Sequence, residues 1–178
     1  MRSKIALAVG LIAVMAAGAA AFGQVHYDRP GGDYASFTLR SGDPVACAMR
    51  CERDARCRAW SFAYPSSESL AECWLKSQVP ARVEETGSVS GVRGAGVIEP
   101  KDGAVEFSIE RMGGDYKTFE IPPDPTGLAC KAACDGEARC RAWTYMRPGY
   151  SGPAAHCSLK DKVKPPHRRP CCMSGVVR

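Results

Sequence analysis

The apolar residues of this chain fall into one long run and many short bursts. The run extends from Ile5 to about Ala21, and no later stretch is apolar enough to span a bilayer. Among the bursts, Trp60, Phe62 and Tyr64 alternate with Ala59, Ser61 and Ala63, and Trp143 and Tyr145 alternate with Ala142 and Thr144. A period of two predicts strands, each burying an aromatic face. Ahead of each lies a pair of cysteines four apart, Cys47 and Cys51, then Cys130 and Cys134. On a helix that spacing puts both sulfurs on one face, one turn apart. Asp43 suits the N-cap of the first helix with Pro44 behind it, and Thr126 holds the matching place before the second. Shorter strands are expected at Val25 to Tyr27, Phe37 to Leu39, Cys73 to Lys76 and Ser90 to Arg93. Their equivalents are Phe107 to Ile109, Phe119 to Ile121, Cys157 to Lys160 and Ser174 to Arg178. One helix against an antiparallel sheet is an α+β arrangement.

The doubling of every signal reflects an internal repeat of about 82 to 84 residues. Arg29-Pro30-Gly31-Gly32-Asp33-Tyr34 returns as Arg111-Met112-Gly113-Gly114-Asp115-Tyr116, identical at five of six positions. Cys47 to Trp60 returns as Cys130 to Trp143, identical at eight of fourteen. Cys73-Trp74-Leu75-Lys76 answers to Cys157-Ser158-Leu159-Lys160, and Ser90-Gly91-Val92 to Ser174-Gly175-Val176. The expected modules are 24–93 and 104–178, joined by a linker at 94–103 that concentrates Gly, Pro and charge without periodicity.

The leading run changes the reading of compartment. Arg2 and Lys4 precede it and small residues close it, the pattern of a secretory signal peptide over 1–23. Its removal leaves 155 residues, no stable membrane span, and 22 basic against 19 acidic residues, a net of +3. That mild excess in an exported protein argues against a nucleic-acid partner. Ten cysteines in so short a chain, in a secreted or periplasmic setting, read as a disulfide framework. Modules of this size have cores that stabilise only marginally, so covalent staples are usual.

The ordered set of Gly-Gly-Asp-Tyr, helical Cys-x3-Cys, a third cysteine running into Arg-Ala-Trp, Cys-x-Leu-Lys and a closing Ser-Gly-Val resembles the PAN/apple superfamily, in two tandem copies. The resemblance implies a small antiparallel sheet cradling one helix in each module. It also implies the bridges Cys47–Cys73 and Cys51–Cys57, then Cys130–Cys157 and Cys134–Cys140. It implies a non-catalytic binding role toward a protein or carbohydrate ligand, without naming the ligand. An accessory envelope protein docking onto a larger secreted or periplasmic partner is the second reading.

Other chemistry is weaker. Cys-x3-Cys-x5-Cys, completed by Cys73 or His156, could hold zinc, but export and an even cysteine count favour disulfides, so no metal or other cofactor is expected. His26, His156 and His167 have no equivalents in the other copy and read as surface residues; no nucleophile–base pair emerges, and an enzyme is not expected. Asp33 and Asp115 read as turn-stabilising side chains. Two features belong to the second copy alone. Cys171 and Cys172, where the first copy has Gly87 and Ser88, could form a vicinal disulfide, link to another chain, or stay reduced as the redox pair of a thiol protein. The segment from Lys160 to Pro170 is basic, and Lys162, Lys164, Arg168 and Arg169 are candidate contacts to an anionic polysaccharide or charged surface, with a solvated loop as the plain alternative.

Overall fold

The computed structural model describes residues 24–97, 101–102 and 105–177. The expected signal peptide, and residues 98–100 and 103 of the expected linker, lie outside them. In chain order the elements are β1 (Gln24–Asp28), β2 (Asp33–Leu39), α1 (Pro44–Arg53), β3 (Ala59–Ala63), β4 (Ala71–Lys76), β5 (Val83–Val92), β6 (Lys101–Asp102), β7 (Val105–Glu110), β8 (Asp115–Ile121), α2 (Leu128–Asp135), β9 (Ala142–Met146), β10 (Ala155–Lys160) and β11 (His167–Val176). They build two antiparallel sheets, ordered β1-β5-β3-β4-β2 and β6-β7-β11-β9-β10-β8, each carrying one helix.

Local chemistry explains the helices. The Asp43 carboxylate accepts the Val45 N–H at 3.0 Å, and Pro44 occupies the first turn, where its missing donor costs nothing. The second helix departs from the expected start. Its N-cap is Gly127, in left-handed conformation, and Thr126 lies one residue outside. The first helical donors are shared: the Thr126 hydroxyl accepts the Leu128 N–H at 3.3 Å, and from further back the Asp124 carboxylate accepts the Ala129 N–H at 2.7 Å and the Thr126 N–H at 2.9 Å. Glycine is required at 127 twice over: φ is +72°, and a Cβ would sit 3.3 Å from the Trp143 ring.

The repeated Gly-Gly-Asp-Tyr motif is a clamp. After the turn, Asp33 bonds Lys76 on β4, while the Tyr34 hydroxyl donates to Asp54 at the end of α1 at 2.7 Å. The second module repeats both contacts, Asp115 with Lys160 and Tyr116 with Glu137. Burial and the bond to Asp54 push the Tyr34 hydroxyl up to about 12, and the same bond lowers Asp54.

The central strands are buried on both faces, beyond the single aromatic face expected. Trp60 and Phe62 lie beneath α1 with Cys73, and Ala59 and Ser61 are buried on the opposite side, where the loop leading into β2 folds over the sheet: the Arg29 N–H donates to Ser61 Oγ at 3.3 Å. Two further strands exceed their expected lengths. β5 begins at Val83 and β11 at His167, so Arg168 and Arg169 lie in a strand rather than a loop, because the β7 edge offers backbone partners there, His167 opposite Glu110 and Arg168 opposite Ile109. Within the expected linker, Lys101 and Asp102 pair with β7, and Val97 packs on the core. The buried residues of both modules form one contiguous cluster.

Candidate functional site

In the pleat of β4, Cys73 turns toward α1, where it is bonded to Cys47, so its neighbour Trp74 turns to the opposite face with Lys76. Ser61 stands opposite Trp74 on β3, and Ala63 and Ser88 continue the same surface. The loop through Asp28, Pro30 and Gly31 closes one side, leaving a cavity of about 260 Å³. Its wall combines a half-buried indole with the Asp33 carboxylate, the Lys76 ammonium and two hydroxyls. Lys76 is only 2% exposed, whereas Asp33 is 39% exposed, so the carboxylate turns its free side to the cavity and solvent. The chemistry available is stacking plus hydrogen bonding to a small polar ring.

The same face of the second module differs at the decisive positions. Ser158 replaces Trp74 and bonds Thr118 at 3.0 Å; Thr144 replaces Ser61 and bonds Ser174 at 2.8 Å. Cys172, bonded to Cys171, stands where the first copy has Ser88. Cys51–Cys57, Cys130–Cys157 and Cys134–Cys140 are the other bridges. Glu110 places a carboxylate oxygen within 4.8 Å of both Cys171 and Cys172 sulfurs, a three-donor group, but sulfurs joined to each other offer no thiolate to an ion.

The four candidate polyanion contacts do not form one free cationic patch. Arg168 is held by Asp43 of the first module at 2.9 Å, and Arg169 by Glu110 at 2.6 Å. Lys162 and Lys164 have no carboxylate within ion-pair distance among the described residues. Lys164 contributes its carbonyl, which accepts from the Arg111 guanidinium at 2.5 Å.

His26 is not a free surface residue. It sits half-buried at a bulge in β1, its ring edge-on to Phe107 of the second module at 5.3 Å. Burial first, and then the nearby Arg147 charge, lower its pKa. Arg147 carries the module junction. Its guanidinium lies 4.0 Å over the Tyr64 ring and donates to the Pro170 carbonyl at 2.7 Å. Tyr64 and Arg147 are equivalent positions of the repeat, so at this point the two modules touch through the same place on each. Gly149, at φ +84°, fits against Pro65, which a Cβ would approach to 2.8 Å. A second cleft of about 300 Å³ opens here between Tyr64, Pro65, Pro123, Asp124, Tyr145 and Arg147.

Trp74 is not among the candidate residues legible from the sequence; its signal is the difference between Cys-Trp-Leu-Lys in the first copy and Cys-Ser-Leu-Lys in the second, which the repeat match conceals. The junction residues carry no such signal.

A family model described as the PAN domain matches residues 27–76 and again 109–160, together more than half of the chain. Among solved structures, the chain is similar to the two N-terminal apple domains of Toxoplasma gondii microneme protein 4. That likeness has 17% sequence identity and a TM-score of 0.32, and covers 84% of this chain and 85% of that one. No curated protein matches the sequence.

Proposed function

The chain belongs to the PAN domain family, in two tandem PAN/apple modules, and from that premise we propose that it is an exported, non-catalytic binding protein whose first module holds a saccharide. Modules of this family often mediate protein or carbohydrate binding. The observation that favours a carbohydrate here is the cavity on the first sheet, where Trp74 faces Asp33, Lys76, Ser61 and Ser88. An indole face suits the C–H surface of a pyranose, and converging donors and acceptors suit its hydroxyls. The volume is that of a single ring rather than a long ligand. Five disulfides support an oxidising compartment, in keeping with removal of 1–23 as a leader.

A glycan array probed with residues 24–178, followed by calorimetry on the best hit, tests this reading. Trp74→Ala should weaken the hit about tenfold or more, since a stacking contact is worth about 1.5 kcal/mol, while the circular dichroism spectrum stays unchanged. An array with no hit, or a hit indifferent to Trp74→Ala, would return the role to protein docking.

A further inference from the structure

We propose that the Cys171–Cys172 disulfide is a thiol-exchange site that latches the second module onto the first. Every other half-cystine is fully buried, whereas Cys171 is 8% exposed. It also forms part of the wall of a cleft of about 350 Å³, together with Ser41, Met146, Tyr150 and Arg169. Exchange requires a thiolate to reach a sulfur, and Cys171 is the half-cystine of this pair that borders the cleft, which makes it the one attacked. The incoming group is a low-molecular-weight thiol. Its thiolate attacks Cys171 Sγ, forming a mixed disulfide, and the Cys171–Cys172 bond breaks with its electron pair left on Cys172 Sγ, which takes a proton. A second thiol attacks the mixed disulfide, releasing the oxidised small disulfide and leaving two cysteine thiols. The protein bond is reduced by two electrons and two small thiols are oxidised.

The segment around this bond is what grips the first module. The Arg147 N–H donates to the Cys171 carbonyl at 2.9 Å, and its guanidinium donates to the carbonyls of Pro170 at 2.7 Å and Cys172 at 3.4 Å. Those three carbonyls hold Arg147 over Tyr64, and Arg168, three residues earlier, reaches Asp43. While the bond is intact, the peptide between the two cysteines is closed in a small ring and the carbonyls are fixed. Reduction frees those torsions.

The test uses the full mature chain under native conditions with limiting dithiothreitol, alkylation and peptide mass mapping. Cys171 and Cys172 should take the label about tenfold or more ahead of the other eight cysteines. In the same reduced sample, hydrogen exchange at the Arg147 amide should rise about tenfold or more, because that amide is bonded to the Cys171 carbonyl. A Cys171→Ala/Cys172→Ala variant should show the fast exchange from the start and no response to dithiothreitol. Comparable labelling of the other cysteines would overturn the proposal, as would selective reduction that leaves Arg147 exchange unchanged. The labelling and exchange arms use the unmutated protein and stand even if the double variant fails to fold.

Discussion

Replacing Asp33 by Asn removes the carboxylate from Lys76 and leaves an ammonium that is 2% exposed. Two unit charges about 4 Å apart at an effective dielectric of about 20 attract by about 4 kcal/mol. The Asp33 side is 39% exposed, so water screens part of that attraction, and Asn still offers an oxygen. The expected loss is about 2 kcal/mol, below the range of about 3–5 kcal/mol for breaking a fully buried pair. Because the modules share one core, the whole chain should melt as a unit, and a loss of that size should lower Tm by about 4–8 °C. Asp33→Asn combined with Lys76→Met removes the stranded charge as well, and should recover most of the loss. Differential scanning calorimetry on the parent, the single variant and the double variant decides the matter. A single variant within about 0.5 kcal/mol of the parent, or a double variant no more stable than the single one, would refute the assignment of this pair as a buried clamp.

Acid should weaken the junction through His26: its pKa is lowered in the fold, so its contribution is fully present above the ordinary value of 6.5 and is lost as pH falls from there through the lowered value of the folded chain. Thermal melts between about pH 7 and pH 5 should therefore fall less for His26→Leu than for the parent. On a sulfated matrix at low salt, Lys162→Gln with Lys164→Gln should reduce retention more than Arg168→Gln with Arg169→Gln, since the arginines already have carboxylate partners. The arginine double variant should instead raise exchange at the module junction, readable by hydrogen exchange around Asp43.

The sequence by itself carried the repeat, the helix face bearing Cys47 and Cys51, the aromatic strands and the α+β class. These rest on local periodicity, which a chain displays residue by residue. Comparison of the copies also isolated Cys171, Cys172 and the basic segment as properties of the second module. The site on the first module was half legible. Trp74 and Lys76 stand in a strand of known pleat, but Asp33, Ser61 and Ser88 join them only because three strands and a turn converge. Tertiary structure alone decided the rest. Arg168 and Arg169 read as free cations until Asp43, 125 residues away in sequence, and Glu110 neutralise them. His26 reads as surface until Phe107 covers it, and Thr126 reads as the N-cap until Gly127 takes that position and Asp124 shares the capping. The physical reason is common to all three. Charge, exposure and capping depend on which groups lie within a few ångströms: packing of one module on the other sets those neighbours for Arg168 and His26, strand pairing within the second module sets them for Arg169, and the turn before α2 sets them at Asp124.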